Sequence, residues 1–348
     1  MSGRRTLAVD EASAFLRGLR EGVLAGVVDG RPVLRAMHAW WHEGALWFHG
    51  APRVAVSGLT GGPVAFEGHA LIARIPSWMR HPERACPATT WYRSVLAEGT
   101  LEAVADPTER ARALQAMMEA QQPEGRHLPL DAEHPHYAAA VRGLGFWRIP
   151  GPRITAVEKL GQDQTADHLR GILRGLWARG EAGDLAAIEA ATAAHPARPR
   201  FAELPEGWVP RCHASEADRR AAVALVADEY WNTGFPREAL LRAHAGCDWV
   251  GVEIGGELVA TTRLLSDRGK RAWIYDVGVA PTWRGRGVGS AVLRLALDHP
   301  AVRDLPQVWL TTRDADPFYE RFGFRTARVD EGPPFRRAHM VLSRPATG

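Results

Sequence analysis

The run WIYDVGVAPTWRGRGVGSAVLRLALDHP (residues 273–300) passes from β-branched and apolar residues, through a turn rich in glycine and arginine, into a helical repeat. Its centre, PTWRGRGVG (281–289), holds three glycines and two arginines. Val288, Val292 and Leu295 fall on one side of the segment that follows, so the spacing predicts a strand, a turn and a helix with a buried face. A helix N-terminus leaves backbone N–H groups unpaired, and these suit a phosphate. Gly287 and Gly289 let the backbone approach a ligand closely, while Arg284 and Arg286 add charge. Alone, the stretch fits two readings: a phosphate cradle, or a strand–helix turn whose glycines serve packing.

Around it the chain alternates helix and strand. The pattern predicts a helix over 215–230, strands over 248–255 and 257–265 around a Gly-Gly turn, a strand over 272–280 and a helix over 287–298. A strand over 307–312 and a helix over 316–322 follow. Strand, loop, helix, strand and the closing FYERFGF (318–324) together resemble the GNAT N-acetyltransferase family over residues 208–343. In particular, Arg284-x-x-Gly287-x-Gly289 after Val279-Ala280-Pro281 is similar to that family's acetyl-CoA pyrophosphate loop.

The resemblance implies acetyl-CoA as cofactor, bound by Val277, Val279, Arg284, Arg286, Gly287, Val288 and Gly289. N–H groups around Val277 to Val279 would polarise the thioester carbonyl. Tyr319 is similar to the tyrosine that protonates the departing thiolate, and it also suits simple packing. Asp276, an acid in an apolar strand, is a candidate base or ammonium partner, or a carboxylate that caps nearby backbone. Tyr230 and Trp231, in EYWNTGFP (229–236), are candidates to wall the acceptor, or core aromatics. Asp316 before Pro317 reads as a helix cap.

The other half reads differently. A helix over 10–20 precedes strand-like runs at 22–28, 32–41, 45–50 and 62–75, two short strands in 91–105, and a last strand at 146–160. Asp106-Pro107 opens a helix to residue 121. Six or seven antiparallel strands with one helix predict a small closed barrel. GVLAGVVDGRPVLRAMHAWWHEGALWFHGAP (22–52), CPATTWYRSVLAEGTLEAVADPTERARAL (86–114) and ITAVEKLGQDQT (154–165) resemble, in that order, the pyridoxamine 5′-phosphate oxidase-like, FMN-binding split-barrel family. The match spans about residues 10–175.

This resemblance implies a homodimer with FMN at its interface. Arg35, His49, Gly50 and Arg53 would face the phosphate, Trp91, Arg93 and Ser94 would line the same cleft, and Lys159 and Gln162 would reach across the interface. APRVAV after His49-Gly50 departs from the family's pattern, so heme, with His49 as ligand, or an empty barrel stay open. The fold class expected is thus two domains: an N-terminal antiparallel split β-barrel (α+β) over 1–165 and a C-terminal α/β GNAT fold over 208–345. A helical segment and Pro-rich linker over 166–207 join them.

Composition bounds the rest. Of 348 residues, 46% are hydrophobic and 24% charged, which is globular, and no apolar run approaches the roughly 20 residues of a membrane span. Cys86, Cys212 and Cys247 are scattered and odd in number, which supports neither a disulfide framework nor a metal knuckle. His38 and His42, four apart on a strand, share a face but lie too far apart for a close bite, and the loop histidines at 127, 134 and 136 have no nearby cysteine and little acid support, so no metal is expected. Net charge is +3 with arginines interleaved among acids, which argues against nucleic acid as a partner. A cytoplasmic N-acetyltransferase of a small amine, on a barrel that dimerises and binds flavin, is one expectation. A ligand-sensing regulator, or a barrel that serves only to dimerise, are the others.

Overall fold

A computed structural model describes residues 3–52, 55–333 and 335–345, which divide into two compact units. One gathers the chain up to residue 74 with residues 90–160; the other holds residues 75–89 and those from 161 onward.

The first unit contains β1 (Arg5–Thr6), α1 (Val9–Gly18), β2 (Glu21–Val28), β3 (Arg31–His42), β4 (Ala45–Gly50), β5 (Pro63–Ile75), β6 (Thr89–Thr100), β7 (Glu102–Ala103), α2 (Pro107–Gln121), α3 (Ala138–Gly143), β8 (Gly145–Pro150) and β9 (Arg153–Lys159). The strands form one ladder in the order β1-β9-β6-β5-β2-β3-β4-β8-β7. Asp106 caps α2 by accepting from the Thr108 N–H at 3.1 Å, with Pro107 at the first helical position. The strand expected over 146–160 is two strands, because Gly151, at φ 48°, and Pro152 turn the chain between them.

Side chains alternate between two faces along each strand. Leu24, Leu46, Phe48, Phe66, Val95, Ile149 and Ala156 share one core, although β9 and β8 stand near opposite ends of the ladder. The sheet therefore curls. A Cβ on Gly99 of β6 would lie 2.5 Å from Cγ2 of Ile149 on β8, a strand not adjacent in the ladder. The run 89–103 reaches both sides of the ladder: β6 pairs with β9, and β7, just past Leu101, pairs with β8. The closed barrel expected from the strand count is not formed: the antiparallel sheet stays open, its end strands β1 and β7 not pairing with each other among the described residues.

On the opposite face, Trp40, Trp47 and Phe146 pack with Ala111 and Leu114 of α2 and Val141 of α3. That face continues over β2 and β3, where Val27 and Leu34 are 64% and 58% exposed.

The second unit contains α4 (Ala166–Arg179), α5 (Asp184–Ala194), β10 (Trp208–Arg211), α6 (Glu216–Val226), α7 (Arg237–Ala245), β11 (Asp248–Ile254), β12 (Glu257–Ser266), β13 (Arg271–Val279), α8 (Val288–Asp298), β14 (Gln307–Thr312), α9 (Asp316–Glu320), β15 (Arg325–Asp330) and β16 (Arg337–Ser343). Its sheet runs β10-β11-β12-β13-β14-β16-β15, with only the β13–β14 pair parallel among the described ladders. Met79, between β5 and β6, packs on α4: a Cβ on Gly175 would lie 2.7 Å from its Cγ. Arg211 on β10 ties α5 and α6 to the sheet, meeting Glu189, Asp218 and Glu253 at 2.8–3.0 Å.

The helix expected over 215–230 ends at Val226. The Asn232 side chain donates to the Val226 carbonyl at 3.0 Å, satisfying an oxygen that a longer helix would have paired internally. The chain is thereby turned into the loop 227–236, which carries the candidate acceptor residues.

Candidate functional site

The site lies where β13 and β14 part. Their parallel pairing covers Arg271–Trp273 against Gln307–Trp309, and no pairing beyond it is found among the described residues. On its other side β13 carries a bulge: Thr261 faces Gly278 and Arg263 faces Tyr275, so Asp276 and Val277 together oppose Thr262. Asp276 sits in the left-handed region at φ 52°, a strained conformation for a residue with a side chain. The bulge turns its carboxylate into the protein, where it is 7% exposed.

Both oxygens of Asp276 are engaged. Oδ1 accepts from Trp231 Nε1 at 3.0 Å and Asn232 Nδ2 at 3.4 Å; Oδ2 accepts from Arg263 Nε at 2.5 Å. His244 Nε2 lies 3.6 Å from Oδ2. Burial lowers the His244 imidazole, outweighing the pull of Asp276, so this histidine is neutral. Burial disfavours the Arg263 cation, but the hydrogen bond and charge of Asp276 outweigh that and raise its pKa.

A pocket of about 410 Å³ fills the wedge, and Asp276, Val277, Tyr319, Tyr230 and Trp231 all line it. Here the structure brings together candidates from the loop after α6, from β13 and from α9. Burial, then Tyr230, pushes the Tyr319 phenol well above the ordinary tyrosine range, so it holds its proton at neutral pH. Its hydroxyl has no hydrogen-bond partner among the described residues. Tyr230 accepts from the Arg313 N–H at 3.0 Å, and the Arg313 guanidinium lies 3.9 Å from its ring centroid. Of the other lining residues, Asn232, Phe335 and Arg337 carry no mark in the sequence pattern. Arg263 had one signal, a cation inside an apolar strand next to the strand bearing Asp276.

At the turn before α8, Gly285 and Gly287 adopt φ 75° and 87°, and a Cβ on either would meet no atom within 4 Å. The space above them is open. Gly289 is in the helix; its Cβ would lie 3.5 Å from Val279 and 3.7 Å from Phe318, which places this turn beside the end of β13 and the residue before Tyr319. Val288 is fully buried, so only its backbone can face a ligand. Arg284 donates to the Val279 carbonyl at 3.0 Å and pairs with Glu229 at 2.6 Å, while Arg286 stacks on Trp283 at 5.1 Å.

The barrel candidates converge less. Arg35 on β3 stands opposite buried Leu24 and shares the inner parity of Val33 and Met37. His49 stands opposite Phe146 on the outer face, against Trp40 and His38. Burial, then His38, lowers the His49 imidazole, and its buried Nδ1 has no hydrogen-bond partner among the described residues. Gly50 follows it on β4. Arg93 pairs at 2.8 Å with Glu158, a fully buried acid that also holds Arg5. Trp91 is buried and shares Arg93's parity; Ser94 points to the other side. Lys159 is the partner of Tyr92 in the ladder, Gln162 belongs to the second unit, and Arg53 lies outside the described residues. No group of three or more metal-ligating side chains occurs among the described residues, and no described helix is long and apolar enough to cross a membrane.

Sequence comparison assigns each half. Residues 8–157 match the family described as pyridoxamine 5′-phosphate oxidase, and residues 213–324 match the acetyltransferase (GNAT) family. The chain joins a pyridoxamine 5′-phosphate oxidase-like domain to a GNAT acetyltransferase-family domain. No curated protein matches it. Among solved structures, a protein described as belonging to the GNAT family, from Xanthomonas campestris pv. campestris, is 30% identical over 35% of this chain and 87% of its own, with a TM-score of 0.33. An FAD- and heme-binding protein from Mycobacterium smegmatis is 21% identical over 44% and 72%, at 0.37. An FAD-binding protein from Mesorhizobium loti is 17% identical over 45% and 98%, at 0.31.

Proposed function

We propose that the C-terminal domain transfers an acetyl group from acetyl-CoA to the amine of a small molecule. The observation that carries this reading is the closeness of the Gly285–Gly287 turn to the pocket bearing Tyr319, in the wedge where β13 and β14 separate. The turn suits a pyrophosphate: it is open, starts an 11-residue helix and has Arg284 and Arg286 beside it.

Acetyl-CoA supplies the thioester. N–H groups of β13 around Val277 to Val279 stand where the pairing with β14 has ended, and they polarise the carbonyl. As the amine nitrogen bonds to the carbonyl carbon and the C–S bond breaks, the protonated Tyr319 gives its proton to the sulfur. Asp276, with both oxygens occupied, acts as a positioning residue for Trp231 and Asn232; solvent in the wedge takes the proton from the amine. The test is release of free thiol from acetyl-CoA, dependent on added amine. Purified protein that neither binds acetyl-CoA nor releases thiol with any amine would sink this reading.

The N-terminal domain is assigned to dimerisation, supported by the exposed apolar side chains of Val27 and Leu34 on adjacent strands. Light scattering of the full chain against a Leu34→Glu variant tests this, a monomeric wild type being the adverse result. For FMN the described residues of one chain do not assemble a cradle, because Arg93 is held by Glu158 and Arg35 and His49 occupy opposite faces. No redox step is derived. An absorption spectrum separates flavin, heme on His49 and a colourless scaffold. We place the protein in the cytoplasm, consistent with its three free cysteines.

A further inference from the structure

The charges that line the wedge are unevenly matched. Asp276 is paired with Arg263, and Asp314 with its neighbour Arg313 at 2.9 Å. Arg337, at the start of β16, also lines the pocket and has no carboxylate partner among the described residues. The acid directly across the ladder from it, Asp330, is taken by Arg328 and by His339 at 3.1 Å. Its neighbour Arg336 is the one that reaches Asp316 and Glu331. The same pocket is lined by the rings of Tyr230, Trp231, Phe235, Tyr275, Tyr319 and Phe335.

An occupant must satisfy both features. An apolar or aromatic body displaces water from the rings. A planar carboxylate matches the guanidinium fork, which takes two oxygens side by side. A polyamine has neither property: it brings positive charge to a pocket whose carboxylates already have arginine partners. We propose that the acceptor is an amine that carries a carboxylate on an apolar, ring-sized body, of the aromatic amino-acid class, and that Arg337 holds the carboxylate. This rests on the acetyl-transfer reading for the identity of the reacting group, but not for the charge argument.

The test is calorimetric titration of the full-length protein, with and without CoA, using L-phenylalanine, L-phenylalaninamide, phenethylamine and spermidine as probes. The acid binds about 10- to 100-fold more tightly than the amide or phenethylamine, the range expected of one charge-assisted hydrogen-bonded pair. Spermidine binds most weakly. Arg337→Gln brings the acid-to-amide ratio close to one and Arg337→Lys restores part of it, with melting temperatures measured alongside to confirm that both variants are folded. An amide as tight as the acid overturns the proposal, as does tighter spermidine, a ratio untouched by Arg337→Gln, or no binding of any probe. Failure of CoA to bind counts against acetyl transfer alone, since the acid-to-amide ratio without CoA judges Arg337 independently.

Discussion

The Trp231 indole donates its N–H to Oδ1 of Asp276 at 3.0 Å, joining the loop after α6 to the bulge of β13. The neighbours of Trp231 reach other parts of the site. Glu229 pairs with Arg284 before α8, Tyr230 accepts from Arg313 after β14, and Asn232 shares Asp276. Four consecutive residues thus tie the acceptor-side loop to both strands of the wedge and to the turn before α8.

Removing the Asp276 carboxylate should cost more than its hydrogen bonds. Asp276→Ala leaves Arg263, whose side chain is 16% exposed, without its counter-charge and frees Trp231 and Asn232. Breaking a buried pair from one side costs about 3–5 kcal/mol. Asp276→Asn keeps an acceptor for Trp231 and should lose less stability. Urea unfolding of the two variants checks this order; equal midpoints would mean that charge is irrelevant there.

Tyr319→Phe tests the proton donor while preserving the ring. Loss of a positioned general acid lowers kcat by about 100-fold or more, with a smaller effect on the KM for acetyl-CoA. Because burial raises the Tyr319 pKa, this hydroxyl stays neutral when ordinary tyrosines ionise near pH 10. The ultraviolet titration of wild type minus variant should therefore show no tyrosinate step near that pH. A step there would mean that the phenol is solvated and unsuited to the role.

Much of this architecture could be read from the chain. The helix after Gly287, the cap at Asp106 and the central strands of both sheets follow from local periodicity and turn residues, whereas β1, β10, β15 and β16, at or near the sheet edges, are not expected from the sequence. Tyr319, Val277, Tyr230 and Trp231 do share one pocket. The engagement of Asp276 could not be read, because it depends on a bulge that reverses a side chain's direction and on which strand lies beside it. Arg337 was invisible for a related reason: whether a cation is matched depends on which neighbours claim the nearby acids. In the barrel, strand parity separates Arg35 from His49, a relation set by the register of β2 on β3 and β4 on β8.

The glycines before and in α8 should respond differently. Gly287→Ala puts a Cβ on a left-handed residue, which costs about 1–2 kcal/mol although no atom obstructs it. Gly289→Ala meets only ordinary contacts at 3.5–3.9 Å and gains helix propensity, so stability should hold or rise by up to about 1 kcal/mol. Gly287→Ala places a methyl group in the open space over the turn and Gly289→Ala one against Val279 and Phe318 at its edge, and both should weaken acetyl-CoA binding. Thermal melts read the first difference and titration with CoA the second. Undiminished CoA affinity in both variants would remove this turn from the binding site.

His299 should make the C-terminal domain sensitive to acid. Its Nδ1 accepts from the Ala301 N–H at 3.1 Å, its buried Nε2 has no partner among the described residues, and Trp177 stands edge-on at 5.4 Å. Burial, with the cations Arg268 and Arg303 adding to it, pushes the imidazole down to about 3. In the unfolded chain it titrates near its ordinary value of about 6.5. Below that pH the unfolded state takes up a proton that the folded state refuses. Stability is therefore full above about pH 6.5 and falls as pH drops from there towards 3, by at most about 1.4 kcal/mol per pH unit. At pH 5 the loss from this group is about 2 kcal/mol. His299→Gln removes that increment while the other histidines keep theirs. Urea midpoints followed by tryptophan fluorescence at pH 7 and pH 5 should show a smaller pH effect in the variant; identical pH effects would mean that His299 takes up its proton without unfolding.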